Sequence, residues 1–82
     1  MHKIVITERA LRDLENLDKN LKKRIGEKLK QYAENPAKYA KKLNNPQLGS
    51  FRFRIGDYRV VFDIDGDTIV VLRIGNRKEI YR

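Results

Sequence analysis

The sequence predicts a small α+β domain in which a helical hairpin covers one face of a mostly antiparallel sheet. Three observations predict it: a short apolar run near the N-terminus, two segments with apolar residues at helical spacing, and two-residue alternation from Phe51 onward. Because the strands follow the helices instead of alternating with them, α+β is favoured over α/β. At 82 residues the chain is expected to be one domain spanning 1–82.

The first strand and both helices are expected in the first half of the chain. The run Lys3–Ile6 is a candidate strand, and Thr7 is a suitable N-cap for the helix that follows. Asp18 can cap a second helix, which Asn35-Pro36 ends because a residue before proline avoids the helical region. The apolar positions of the two helices are Ala10, Leu11, Leu14, Leu17 and then Leu21, Ile25, Leu29, Tyr32.

The second half of the chain predicts three strands joined by tight turns. A basic connector over residues 37–50 leads to a strand in which apolar residues alternate with arginine from Phe51 to Ile55. Gly56-Asp57 is a turn, and the next strand has Tyr58, Val60, Phe62 and Ile64 on its apolar face. A second turn at Asp65-Gly66-Asp67 precedes a third strand over residues 68–74.

Composition limits the kind of protein. The net charge is +8 and the isoelectric point is near 10, an electrostatic character typical of nucleic-acid binders and also of many soluble proteins. There is no cysteine, which excludes disulfides and thiolate metal sites and suits a reducing cytoplasm. No apolar stretch is long enough to span a bilayer, so we expect a cytoplasmic protein without membrane contact.

The basic residues are divided by type along the chain. Residues 1–50 contain nine lysines and three arginines, whereas residues 51–82 contain six arginines and one lysine. Arginine presents a planar fork that matches phosphate geometry, so the second half is expected to make the more specific anion contacts. Alternation places Arg52, Arg54 and Arg59 on the sheet face away from the phenylalanines, together with Asp57, Val61 and Asp63. This face is either a phosphate site or a solvated surface on which Asp57 and Asp63 are counter-charges.

Two motifs resemble the RelE toxin family. The run FRFRIGDYRVVF is similar to its central strand pair, and GNRKEIYR is similar to its C-terminal motif. The TERA start, the helical hairpin and the Asn-Pro stop also match, so the resemblance covers essentially the whole chain. It implies a RelE-like fold and a toxin of a type II toxin–antitoxin system that cleaves messenger RNA on the ribosome.

The resemblance also implies an active site and a reaction. By motif, the catalytic residues are Arg52, Arg54, Arg59, Arg77 and Tyr81. The 2′-hydroxyl of the RNA would attack the neighbouring phosphate and leave a 2′,3′-cyclic phosphate, with no metal and no cofactor. Arg77 would stabilise charge on the phosphate and the leaving 5′ oxygen, Arg59 would hold a non-bridging oxygen, and the strand arginines would orient the phosphate.

The sequence departs from the family pattern in its proton-transfer residues. Arg52 and Arg54 stand where lysine is common, and a guanidinium is too basic to act as a general base. Asn76 stands where many relatives have histidine. Tyr81 is therefore the remaining candidate for proton transfer, and its other interpretation is a packing aromatic.

A basic surface on the second helix is a candidate contact for ribosomal RNA. It comprises Lys19, Lys22, Lys23, Arg24, Lys28 and Lys30, and extends into Lys38, Lys41 and Lys42. Such a run is also typical of a solvated helix face. The expected partners are an acidic, RelB-like antitoxin and a ribosome with messenger RNA in its A site.

Two other functions remain open for the same fold. A ParE-like protein inhibits DNA gyrase by protein contact and needs no nuclease site. A family member without catalytic activity would bind RNA and leave it intact, which the missing histidine makes plausible. The fold alone does not distinguish these functions, because function depends on the particular residues that a fold carries. The residues that favour the nuclease are Arg77 and Tyr81.

Overall fold

A computed structural model describes residues 2–45 and 47–80. The elements in chain order are β1 (Lys3–Ile6), α1 (Glu8–Glu15), α2 (Lys19–Ala33), α3 (Pro36–Tyr39), β2 (Lys41–Lys42), β3 (Phe51–Ile55), β4 (Tyr58–Asp65) and β5 (Thr68–Asn76). The strands form one sheet in the order β1-β5-β4-β3-β2, in which only the β1–β5 pair is parallel. The predicted α+β class, with a helical hairpin and an antiparallel meander, is confirmed.

The predicted helix starts are confirmed by their caps. The Thr7 hydroxyl accepts a hydrogen bond from the Ala10 amide and donates one to the Val71 carbonyl at 2.8 Å, which ties α1 to β5. A carboxylate oxygen of Asp18 accepts from the Leu21 amide at 2.9 Å and begins α2. Helix α2 ends at Ala33, two residues before Asn35-Pro36, and Pro36 then starts α3 at a position where its missing N–H costs nothing.

The core lies between the helices and one face of the sheet. Phe53 and Phe62 stack with ring centroids 4.2 Å apart, and Tyr32 of α2 meets Phe53 edge to face at 5.2 Å. The aliphatic residues Ile25 and Leu29 of α2 are buried against them. Because strand residues alternate between faces, burial of Phe53 and Phe62 sends Arg52 and Arg54 to the face away from the helices.

The basic connector over residues 37–50 contains regular structure that was not predicted. Its first half contains the end of α3 and the short strand β2, which pairs with β3 through Lys41↔Arg52 and Lys42↔Phe51. Two lysines have low strand propensity, so sequence reasoning had no local signal for β2. Pairing with the edge of β3 decides their conformation.

The sheet face away from the helices is less open than expected. Val61, assigned to the solvent side, is fully buried because the segment after β2 folds over it. A Cβ on Gly49 would lie 2.5 Å from Val61 Cγ1 and 3.1 Å from Leu72 Cδ1, a separation that only glycine permits here. The covered half is apolar, and the uncovered half carries the arginines.

Strand β5 differs from its predicted form in two respects. It runs to Asn76 instead of ending at residue 74. A bulge opposite Val61 and Phe62, which pair with Arg73 and Val71, leaves Leu72 as the extra residue. The bulge shifts the alternation by one residue, so that the buried positions along the strand are Ile69, Val71 and then Ile74.

Candidate functional site

A basic cleft of about 740 Å³ occupies the uncovered half of the sheet face away from the helices. Its floor is the β3–β4 pair, in which Arg54 lies directly opposite Arg59 and Arg52 opposite Val61. The remaining walls come from the segment after β2 and from the turn after β5. The lining residues are Lys42, Leu43, Asn44, Asn45, Arg52, Arg54, Arg59, Arg77 and Lys78.

The cleft has strongly positive character. Six of its lining residues are basic, and none of the lining residues that the structure describes is acidic. Within residues 2–45 and 47–80, both salt bridges involve Asp13, so no carboxylate there is in ion-pair contact with Arg52, Arg54 or Arg77. Like charges held close together repel each other, and a bound anion relieves that repulsion. The cleft therefore has the electrostatics of a phosphate-binding site.

The expected counter-charges do not neutralise this cleft. The Asp63 carboxylate accepts a hydrogen bond from the Ser50 amide at 2.9 Å and secures the covering segment. Asp57 lies in the β3–β4 turn, where its backbone carbonyl accepts from the Arg77 amide at 2.8 Å. The Asp63 carboxylate therefore has a structural role, and within the described residues neither carboxylate forms a salt bridge with an arginine of the cleft.

Arg59 is a buried floor residue instead of a solvent-side one, which corrects its expected position. It is only 5% exposed, and its Nη1 donates to the carbonyls of Gly56 at 3.0 Å and Tyr58 at 2.9 Å. Gly56 has a φ of +60°, which glycine adopts without strain. Arg59 thus stabilises the turn that joins β3 to β4 while it contributes charge to the cleft.

The turn after β5 places Arg77 at the rim of the cleft. The Asn76 side-chain oxygen accepts from the Lys78 amide at 2.9 Å, and its backbone carbonyl accepts from the amides of Glu79 and Ile80. Ile80 is buried against Gly75. Asn76 therefore shapes the turn that presents Arg77 and Lys78. The candidate base Tyr81 lies outside the residues that the structure describes, as does Arg82.

Comparison with known proteins assigns the family. The model of the ParE toxin of type II toxin–antitoxin systems, parDE, matches residues 4–81. Toxin RelG of Mycobacterium tuberculosis is 33% identical over 79 residues, which cover 93% of this chain and 91% of RelG. The chain belongs to the RelE/ParE toxin superfamily. The resemblance inferred from the two motifs is confirmed, and this protein is a type II toxin–antitoxin toxin.

Further relatives support the same assignment. Toxin RelE3 of Methanocaldococcus jannaschii is 26% identical to this toxin over 83 residues, covering 96% of this chain and 94% of RelE3. The structure of the toxin–antitoxin complex RelBE2 from M. tuberculosis matches with a TM-score of 0.82 and 29% identity, over 93% of this chain and 98% of that one. The RelB–RelE antitoxin–toxin complex from Methanococcus jannaschii matches with a TM-score of 0.72 and 27% identity, over 94% of each chain.

The predicted basic surface of the toxin lies on α2, in the layer that packs on the opposite face of the sheet from the cleft. None of its six residues lines the cleft. Arg24 extends to the β3–β4 turn, where its Nη2 lies 3.4 Å from the position that a Cβ on Gly56 would occupy. Lys42, assigned to an extension of this surface, lines the cleft instead. The toxin therefore has two separate basic regions.

Sequence reasoning missed some of the residues that line the cleft. Lys78, Asn44 and Asn45 were not singled out, and Leu43 was expected only as an apolar anchor of the connector. Lys78 adjoins Arg77 in the C-terminal motif, and that adjacency was an available signal. The asparagines have no such signal, because only the fold of the connector brings them beside the arginines. Arg73, by contrast, was grouped with the anion-binding arginines and pairs with Asp13 at 2.8 Å, which joins α1 to β5.

The different environments of the cleft arginines predict different effects on stability. Arg59→Ala is expected to lower the free energy of unfolding by about 1–3 kcal/mol, because hydrogen bonds from a buried guanidinium are lost. Arg54 is exposed, and Arg54→Ala is expected to change the free energy of unfolding by less than about 0.5 kcal/mol. Urea denaturation of both variants measures the difference. Equal stability of the two variants would show that Arg59 does not hold the turn.

Proposed function

We propose that this toxin is a ribosome-dependent endonuclease that cleaves messenger RNA and thereby inhibits translation in the cytoplasm. The observation that carries the proposal is the cleft in which Arg52, Arg54, Arg59 and Arg77 converge without an acidic residue among the described lining residues. Such a cluster matches the geometry and charge of a phosphodiester. The relatives named RelE3 and RelG add support, because they come from the same superfamily.

The proposed reaction is an intramolecular transphosphorylation, in which the phosphorus exchanges its bond to the 5′ oxygen for a bond to the 2′ oxygen. The 2′-hydroxyl attacks the adjacent phosphorus, the bond to the 5′ oxygen of the next nucleotide breaks, and a 2′,3′-cyclic phosphate remains. Arg52 and Arg54 orient the phosphate, and Arg77 stabilises the charge that develops on it and on the leaving oxygen. Arg59 contributes charge from the floor. From the family motif we assign to Tyr81 the proton of the attacking 2′-hydroxyl, and the leaving 5′ oxygen takes up a proton from water. The guanidinium groups are too basic to act as bases.

The ribosome supplies the geometry that the small cleft does not. We propose that the ribosome holds the messenger in its A site with the 2′-hydroxyl aligned for attack. Holding the reacting groups in this geometry increases the rate of cleavage. The basic surface of α2 would contact ribosomal RNA phosphates from the other side of the toxin, since its six cations lie away from the cleft. Two separate basic regions suit an enzyme that binds its messenger RNA substrate and the ribosome at the same time.

A cell-free translation reaction tests the proposal. Purified toxin is added, and cuts in the messenger are mapped by primer extension, with heat-treated toxin as the control. Cuts within codons that depend on translating ribosomes are the expected result. Intact messenger together with blocked translation would indicate an RNA-binding member without catalytic activity.

Inhibition of DNA gyrase is the second candidate function. The family model that matches residues 4–81 is described as the ParE toxin of parDE systems, which is the observation that favours it. A gyrase supercoiling assay run beside the translation assay distinguishes the two. Inhibited supercoiling with an intact messenger would favour contact with gyrase over cleavage of RNA.

The charge composition of the cleft leads to a prediction about metal ions. Because arginines supply the positive charge, cleavage is expected to need no divalent ion bound to the toxin. Ribosome complexes trapped with messenger in the A site are tested after magnesium is exchanged for cobalt hexammine. Cleavage at an unchanged rate is expected. Loss of cleavage while the complexes stay intact would contradict a mechanism based on arginine.

We also propose an acidic antitoxin as the toxin's partner. The similar structures are complexes of RelE-type toxins with RelB antitoxins, and a net charge of +8 favours a partner of opposite sign. A segment that covers the cleft or displaces Tyr81 would block activity. Co-expression with the product of the neighbouring gene is expected to restore growth, and binding of that product without restored growth would contradict the assignment.

A further inference from the structure

The segment after β2 forms a neutral wall beside the cationic floor of the cleft. Leu43, Asn44 and Asn45 line the same cavity as Arg52 and Arg54. The cleft volume of about 740 Å³ lies within the range of about 300–1,000 Å³ that is usual for small-molecule sites, so it has room for more than one phosphate. An extended nucleotide has a charged part and a neutral part, and the cleft has a surface suited to each.

This wall is held in place by contacts on both of its sides. The Leu43 amide donates to the Ser50 carbonyl at 2.9 Å, and the Asn45 carbonyl accepts from the amides of Leu48 and Gly49. Gly49 is buried against Val61, where any side chain would clash. The wall therefore has a defined position relative to β4, which a residue must have if it is to distinguish ligands.

The amide groups of the wall are available to a ligand. Asn44 and Asn45 are exposed, and their side chains make no hydrogen bond to the residues that the structure describes. Each amide has two N–H donors and a carbonyl acceptor. That combination forms a pair of hydrogen bonds with a base edge that offers adjacent acceptor and donor groups, and adenine is the usual partner of asparagine.

We propose that the segment Asn44–Asn45 binds the nucleobase next to the phosphate held by the arginines, with adenine as its preferred base. The inference rests on the proposed RNA substrate and goes beyond it by naming the residues that determine sequence preference. The arginines bind the backbone of any RNA and carry no sequence information. Selection among sequences then depends on the only neutral polar side chains among the described residues of the cleft lining.

Binding of short RNA tests the inference independently of cleavage. Fluorescent tetranucleotides with 2′-O-methyl groups at every position lack an attacking hydroxyl and differ only in one central base. At low salt, the wild-type toxin is expected to bind the adenine probe about 10-fold more tightly than the uracil probe. In the double variant Asn44→Ala, Asn45→Ala, that difference is expected to disappear, with affinity for the uracil probe retained within about two-fold.

The control variant is Asn20→Ala, which removes an exposed asparagine from α2 and is expected to keep the preference. If the double variant melts at a lower temperature, the two single variants provide the same comparison. Equal binding of the adenine and uracil probes by the wild type, or an unchanged preference in the double variant, overturns the inference.

Cleavage then separates the inference from the proposed function. Base-selective binding without any cut in translated messenger would support the Asn44–Asn45 base site and contradict the proposed nuclease. Cleavage whose sequence preference is the same in wild type and double variant would support the nuclease and contradict the base site. Cut sites whose bias toward adenine weakens in the double variant support both.

Discussion

Tyr81→Phe is expected to reduce the rate of messenger cleavage about 10²-fold or more while ribosome affinity stays nearly unchanged. The substitution keeps the aromatic ring and removes only the hydroxyl, and loss of one acid–base group typically costs this much. The arginines assigned to the reacting phosphate cannot replace the lost function, because a guanidinium is too basic to act as a general base.

Single-turnover cleavage on saturating amounts of programmed ribosomes measures the chemical step, with binding assayed separately. Tyr39→Phe is a matched control, because Tyr39 stacks on Tyr32 on the helical side of the sheet with centroids 4.2 Å apart. It is expected to cleave at the wild-type rate. Full-rate cleavage by Tyr81→Phe would remove the tyrosine from the mechanism and leave the arginine cluster as the whole catalyst.

Combined replacement of Arg52 and Arg54 by alanine is expected to weaken both RNA binding and cleavage, each by about 10²-fold or more. Hydrogen bonds from charged groups contribute about 1.5–3 kcal/mol each, and about 1.4 kcal/mol corresponds to a factor of ten. Both residues would contact phosphate before and during the reaction, so affinity and rate fall together. This joint loss differs from the selective loss of rate expected for Tyr81→Phe.

Salt dependence provides a second measurement on the same variant. Loss of two phosphate contacts is expected to reduce the slope of log affinity against log salt by about 1.4 for single-stranded RNA. Arg9→Ala with Arg12→Ala is the matched control, since it also removes two positive charges but from exposed positions on α1. Equal losses in the two double variants would show that total charge, and not the cleft, determines binding.

Local patterns were sufficient to predict most of the elements and the face on which the arginines lie. Thr7 and Asp18 cap their helices as expected. Each capping oxygen accepts a hydrogen bond from an amide three residues later, so the cap depends only on residues that are close in sequence. Arg52, Arg54 and Arg59 share a face because alternation and a two-residue turn determine it. These features depend on residues close to one another along the chain, and a sequence displays such relations directly.

The tertiary structure alone decided how open that face is and what surrounds the arginines. Gly49 packs on Val61 and buries half of the face, and the same packing brings Asn44 and Asn45 beside the cleft. Burial of Arg59, pairing of Arg73 with Asp13 and the bulge at Leu72 likewise depend on contacts between distant segments. The sequence by itself determined which residues carry charge and which face they take, since both follow from residue type and local period. The boundaries of the cleft required the structure, because close packing between segments depends on shape in three dimensions, which no local pattern records.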